Sequence, residues 1–164
     1  MKTIIIVRHA KSSWDDHTLS DYDRPLNERG KHDAPVMAER LLKKQPAIQA
    51  FISSPAKRAR KTAAIFAKAY GLDKDDVQLK EELYLAPESV FYNVIGQLPE
   101  SVKSIAVFAH NPGVTDFVNT LTDVRIDNVP TCAMFAVSYD GTWQSFKSDP
   151  KKFLFFDFPK KGQQ

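Results

Sequence analysis

The chain has 164 residues, of which 43% are hydrophobic and 26% charged; this size and balance suit one globular domain spanning 1–164 and exclude disordered, collagen-like and coiled-coil classes. Lys and Arg total 23 against 20 Asp and Glu, a formal charge of +3, which is compatible with an anionic partner but names none. The single cysteine, Cys132, cannot close an internal disulfide, and this predicts a reducing, cytoplasmic setting. The apolar run at the start stops at Val7, too short for a signal sequence, and no segment approaches the roughly 20 apolar residues that cross a membrane, so no membrane partner is expected.

Ile4 to Val7 form a β-branched run of the kind buried on both faces of a parallel sheet. The stretch from Asp15 to Arg24 is polar and reads as a loop. Asn27 then caps a predicted helix with Glu28 in its first turn, and Ala34, Met37, Ala38, Leu41 and Leu42 recur at helical spacing. Pro35 either kinks that helix or marks its start. Ala50 to Ile52 make a short strand, and Ser54-Pro55 supplies an N-cap and first-turn proline for a helix that runs to Tyr70 and stops at Gly71.

Val77 to Leu79 read as a short strand, 87–98 as a helix and Ser104 to Ala109 as a second buried strand. Asn111-Pro112 repeats the cap-plus-proline start for a helix over 112–121. Met134 to Tyr139 and Trp143 to Phe146, joined through Asp140-Gly141, predict a hairpin, and 153–158 a last strand. Alternating strands and helices imply a three-layer α/β/α sandwich around a largely parallel sheet, finished by the antiparallel hairpin.

Ligands of such sheets bind beyond the carboxyl ends of strands. Three strand ends carry cationic or imidazole groups: Arg8-His9-Ala10, Ser53-Ser54-Pro55-Ala56-Lys57-Arg58 and His110-Asn111-Pro112-Gly113. On the helix after Pro55, Lys57, Arg60, Lys61 and Lys68 fall on a polar face, whereas Arg58 falls inside the apolar arc. A guanidinium there needs a carboxylate partner or an anionic ligand, because leaving it unpaired costs several kcal/mol. Taken singly, His9 reads as a core histidine and the basic run as a solvated face; the joint occurrence at three equivalent positions favours a site. His17 and His32 read as surface residues, and Cys132 as structural.

These motifs resemble the histidine phosphatase superfamily, whose members share a phosphoglycerate-mutase-like fold. Arg8-His9-Ala10 resembles its Arg-His-Gly signature, the segment from Ser53 to Ala63 its second arginine motif, and Ala109-His110-Asn111-Pro112-Gly113 its second histidine motif. Asp23-Arg24-Pro25-Leu26-Asn27-Glu28-Arg29-Gly30 is similar to the SixA branch of small phosphohistidine phosphatases. The resemblance implies His9 as the nucleophile, a phosphohistidine intermediate, Arg8 and Arg58 on the phosphoryl oxygens and His110 completing the pocket, with Ser12 and Asn111 as further binding residues. It implies no metal and no cofactor. Two arginine forks stabilise the transferring charge, and flanking cations keep an imidazole neutral and nucleophilic.

Two departures bear on the substrate. Ser12 and Trp14 match the mutase-like pattern, but Asp15 replaces its asparagine. Members that act on phosphate esters carry a glutamate as general acid, and around Leu83 no carboxylate falls in register, which leaves Glu82, Glu88 and Asp15 as candidates. An alkoxide leaving group needs that proton, a contribution of about 10² to 10⁴ in rate, whereas an imidazole needs less help. The reading is therefore a metal-independent phosphatase acting on protein phosphohistidine, through an open, shallow site without a lid. The alternatives are a phosphomonoesterase on small phosphate esters, and a non-catalytic module that binds phosphoprotein or nucleic acid through the 57–61 cluster, Lys151-Lys152 and Lys160-Lys161. Nucleic acid is not expected as the partner.

Overall fold

In the computed structural model, which describes residues 1–160, the first apolar run becomes strand β1 (Lys2–Arg8). Its residues alternate between two cores, Ile4 and Ile6 facing one and Ile5 and Val7 the other. The remaining strands are β2 (Ala50–Ser53), β3 (Val77–Leu79), β4 (Ser104–Ala109), β5 (Met134–Tyr139) and β6 (Lys152–Asp157). They order as β3-β2-β4-β1-β5-β6. The first four run parallel, and β5 and β6 are antiparallel additions on the β1 side.

Helices cover both faces, as a parallel sheet requires. On one face α3 (Glu88–Gly96) and α4 (Gly113–Leu121) bury Phe91, Ile95, Phe117 and Val118. On the other, α1 (Glu28–Lys44) and α2 (Lys57–Ala69) bury Met37, Leu41, Phe66 and Ala67. Each large apolar side chain so buried contributes about 1.5–3 kcal/mol. The three-layer sandwich expected from the alternation of elements is the one observed.

Local chemistry explains most element ends. Asn27 caps α1 by accepting from the Gly30 N–H at 2.8 Å, and Pro35 lies inside that helix rather than at its start. Gly71 ends α2 with φ +78°, the left-handed geometry that favours glycine there.

Several boundaries differ from expectation. Helix α2 starts at Lys57, two residues beyond the predicted first-turn Pro55, and Ala56 at its N-cap has no side-chain cap. Likewise α4 starts at Gly113, while the Asn111 Oδ1 still accepts the Thr115 N–H at 3.1 Å. Helix α3 covers 88–96 rather than 87–98.

The expected hairpin between Met134–Tyr139 and Trp143–Phe146 is corrected: β5 pairs with β6 instead. Trp143 and Phe146 form a turn in which both rings are buried. The Trp143 N–H is satisfied by the Glu100 carboxylate at 2.8 Å and not by a ladder. Aromatic content that suits a strand here serves a plug at one end of the core.

Candidate functional site

Parallel pairing of β1 with β4 puts Arg8 opposite Ala109, so the next residues, His9 and His110, emerge side by side. The His9 N–H continues the ladder to the Ala109 carbonyl at 3.1 Å, and the imidazole centroids lie 5.2 Å apart. Strand β2 flanks β4 on its other side. The residue after it, Ser54, therefore reaches His110, with its Oγ 2.7 Å from Nε2. Three strand ends converge on one point because their registers are in step.

His9 is 6% exposed, and its Nδ1 lies 2.7 Å from the Ala10 carbonyl oxygen. A carbonyl only accepts, so Nδ1 carries the proton and Nε2 carries the lone pair. Burial, together with the neighbouring His110, Arg58 and Arg8, pushes the imidazole pKa down to about 3, so His9 is neutral at physiological pH. His110 is held down to about 3 by burial and by Arg58. The Ala10 N–H donates to Thr62 Oγ1 at 3.0 Å, and Thr62 Oγ1 donates to the Arg58 carbonyl at 2.7 Å, tying the His9 loop to the first turn of α2.

Arg58 is 3% exposed and finds the carboxylate that its place in the apolar arc demanded. Its Nη1 donates to the Asp21 carbonyl at 2.6 Å and its Nη2 to Asp21 Oδ2 at 3.0 Å. The same carboxylate accepts from the Tyr84 hydroxyl at 2.5 Å and from Arg24 Nη2 at 3.1 Å. Burial disfavours the Asp21 charge, but Tyr84, Arg58 and Arg24 more than offset it and hold the pKa at about 2. Arg24 in turn donates to Ser12 Oγ at 2.8 Å and stacks on Trp14, its guanidinium carbon 3.5 Å from the ring centre.

Arg8 donates Nη1 to the Val129 carbonyl at 3.0 Å. Among the described residues, few buried side-chain polar atoms lack a partner; three that do are Arg8 Nε, Arg58 Nε and His110 Nδ1. Buried polar atoms left unpaired cost about 1–3 kcal/mol each, and the clustering of these three, two of them guanidinium N–H groups, marks the place where an acceptor-rich anion fits.

Arg8, His9, Ser12, Arg58, His110 and Asn111 all line one cavity of about 270 Å³, with Lys11, Trp14, Asp21, Arg24, Leu85 and Thr131. All six residues singled out in the sequence thus meet. Asn111 also has structural work: its amide donates to Val129 and Asn128, and its Oδ1 accepts from Thr115.

The candidate acids Asp15, Glu82 and Glu88 are exposed and are not part of the lining. The segment that carries the acid in ester-cleaving relatives supplies Leu85 to the cavity and Tyr84 to Asp21. The carboxylate at the cavity wall is Asp21, held ionised. Sequence reasoning missed Asp21 and Tyr84; the signal pointing to the first was the unmet charge of Arg58 itself.

Among the described residues no group of three or more His, Cys, Asp or Glu is placed to hold a metal ion, and no helix is long and apolar enough to cross a membrane. Cys132 is buried and its thiol pKa is raised by that burial. His17 and His32 are exposed. Lys161, the second member of the late lysine pair, lies outside the described residues.

A family model described as the histidine phosphatase superfamily, branch 1, matches residues 4–85. An uncharacterised chloroplastic protein of Arabidopsis thaliana is 28% identical over 152 residues, covering 87% of this chain and 69% of its own length. An uncharacterised protein of Mycobacterium leprae is 27% identical over 167 residues, covering 94% of this chain and all of its own. The structure of the protein histidine phosphatase SixA complexed with tungstate superposes with a TM-score of 0.82 at 24% identity, covering 97% of this chain and 98% of that one. A protein of Agrobacterium tumefaciens assigned to phosphohistidine phosphatase SixA gives 0.80 at 23% identity, covering 96% and 98%. At these identities the two structures speak for the fold.

Proposed function

The chain belongs to the histidine phosphatase superfamily and is a phosphatase, and on that premise we propose that it hydrolyses phosphohistidine on proteins, with His9 as the nucleophile. The observation that carries this reading is the tautomer of His9. Its Nδ1 proton is committed to the Ala10 carbonyl, so the Nε2 lone pair is the reactive one and needs no base to expose it.

The lone pair attacks phosphorus, the P–N bond to the substrate imidazole breaks, and a phosphorylated His9 forms. Water then attacks the same phosphorus, returning Nε2 and releasing inorganic phosphate. Arg8 and Arg58 offer their unpaired Nε–H groups to the equatorial oxygens, where phosphoryl transfer places its charge, and His110 adds Nδ1–H in the tautomer whose Nε2 accepts from the Ser54 hydroxyl.

The leaving group decides between substrates. An alkoxide must be protonated on the departing oxygen, inside the cavity. A phosphohistidine ring can instead take its proton on the distal nitrogen, from water outside the cavity, and depart as neutral imidazole. A cavity lined by Leu85 and an ionised Asp21, with no neutral carboxylic acid, supports the second case.

Free phosphohistidine, a phosphohistidine peptide and phosphoserine, each offered in the presence of a chelator, test the reading. Phosphate release from the first two is expected to exceed that from phosphoserine by at least about 10²-fold. His9→Ala is expected to lose at least about 10³-fold, and wild type quenched in alkali should carry labelled phosphate on His9. Turnover retained in His9→Ala overturns the mechanism; faster release from phosphoserine overturns the substrate class.

A further inference from the structure

Lys57, Lys61 and Lys68 recur at i, i+4 and i+11 along α2, so they share one stripe of the helix. The stripe was expected to be a solvated face. Lys61 and Lys68 are exposed and Lys57 half-buried, as expected, and the stripe also walls a groove of about 820 Å³ with an apolar floor formed by Leu26, Ile65 and Leu72 and with Lys74 on its rim. Among the described residues none of these four lysines is in an ion pair. The acid of the rim is Asp73, whose carboxylate is already engaged in capping the turn that follows it.

We propose that this groove docks an acidic, amphipathic segment of the phosphoprotein substrate. The inference rests on the phosphohistidine reading above and names how the protein part of that substrate is recognised. Charge complementarity selects the partner: unpaired lysines line the rim and offer nothing to a basic surface. The apolar floor selects a polypeptide over a nucleic acid, since a phosphodiester backbone has no side chain to bury against Ile65 and Leu72.

The groove also lies where docking can serve catalysis. Lys57 precedes Arg58, and Pro25, another lining residue, follows Arg24. At these two points the linings of groove and cavity are consecutive residues, about 3.8 Å apart between Cα atoms. A segment held against α2 presents its neighbouring side chains to the cavity mouth. Binding energy gathered in the groove is then available to position the phosphoryl group, an advantage that a free amino acid lacks.

A fluorescent peptide with leucines along one helical face and glutamates on the other is the direct probe, read by anisotropy at low salt. Wild type is expected to bind it at least tenfold more tightly than the Lys61→Glu, Lys68→Glu, Lys74→Glu triple variant, and at least tenfold more tightly than it binds a control peptide with serine in place of leucine. Fusing that acidic segment to a phosphohistidine peptide should raise kcat/KM at least tenfold for wild type and not for the triple variant. Turnover of free phosphohistidine should be the same in both.

Equal binding of the serine peptide, or of an oligodeoxynucleotide of the same charge, overturns the proposal in favour of a plain basic face. A loss of free phosphohistidine turnover equal to the loss on the fused peptide also overturns it. Absence of all turnover in wild type removes the phosphohistidine reading, while the anisotropy comparison still decides whether the groove takes an acidic segment.

Discussion

Arg58 and Asp21 make a two-point contact across 37 positions of chain, guanidinium to backbone carbonyl at 2.6 Å and guanidinium to carboxylate at 3.0 Å. One edge of the arginine fork is thereby fixed, and the remaining Nε edge is the one left for an anion. Asp21 also holds Arg24, so a single carboxylate orients two cations at the cavity wall.

Asp21→Ala should therefore act through geometry. With the carboxylate gone, Arg58 and Arg24 lose their alignment, and kcat/KM is expected to fall by about 10- to 100-fold, a misplacement effect of the usual size. Asp21→Asn, which keeps one side-chain acceptor for Arg58 or Arg24, should recover part of that loss. Initial-rate kinetics on free phosphohistidine measure both, and activity equal to wild type in Asp21→Ala removes the positioning role.

Ser54 offers a second positioning test. Its hydroxyl fixes His110 Nε2 and also accepts the Ala56 N–H at 3.2 Å. Ser54→Ala is expected to lower kcat about tenfold with KM little changed, and to cost about 1 kcal/mol in urea unfolding. Ser54→Thr should restore most of both; a change in stability without a change in kcat leaves Ser54 as packing alone.

The two neutral histidines set the acid behaviour. Both have folded-state pKa values of about 3, against about 6.5 in an unfolded chain. Between those values the unfolded state holds protons that the native state lacks, so stability rises with pH across that window and falls as the solution is acidified below 6.5. Each histidine contributes a slope of up to about 1.4 kcal/mol per pH unit. Urea melts at several pH values should show this slope in wild type and lose much of it in a His9→Gln, His110→Gln variant. Nitrogen NMR of wild type at pH 5 should still find His9 as the neutral Nδ1–H tautomer.

Gly30 tests the loop that carries Ser12. A Cβ at this position would fall 2.2 Å from the Lys11 carbonyl oxygen, and that carbonyl already accepts the Asn27 N–H at 3.0 Å. Gly30→Ala should push the Lys11–Ser12 backbone away, costing about 1–3 kcal/mol. That loss lowers Tm by about 2–4 °C per kcal/mol. It should also weaken the Arg24 contact to Ser12 and so reduce activity, whereas a Tm matching wild type shows that the contact relaxes freely.

The parts of the molecule that were legible in the sequence share a physical cause. Strands β1 and β4 are continuous apolar runs, and their ends place Arg8, His9 and His110 by topology alone. Arg58 was legible because a cation in the apolar arc of α2 has to be paired. Asp21 and Tyr84 were not, because they meet only when the polar stretch over 15–24 folds back over α2, and polar loops carry no periodicity that reports such a contact. Trp143 and Phe146 misled for a related reason: two aromatics near a Gly turn fit a strand locally, and the core they fill is visible only in three dimensions.

The in-step register of β1 and β4 has an evolutionary corollary. One residue inserted between Ser104 and Ala109 advances His110 by about 3.3 Å and turns it to the opposite side of the sheet, away from His9. Descendants of this chain can therefore exchange Ile, Val, Phe and Ala within these strands while keeping the site, but a change of length there breaks the imidazole pair in one step. Length polymorphism should accumulate instead in the connection over 15–20, which lies outside helices and strands and outside the cavity lining, and an indel map of a mutant library selected for activity should display that contrast.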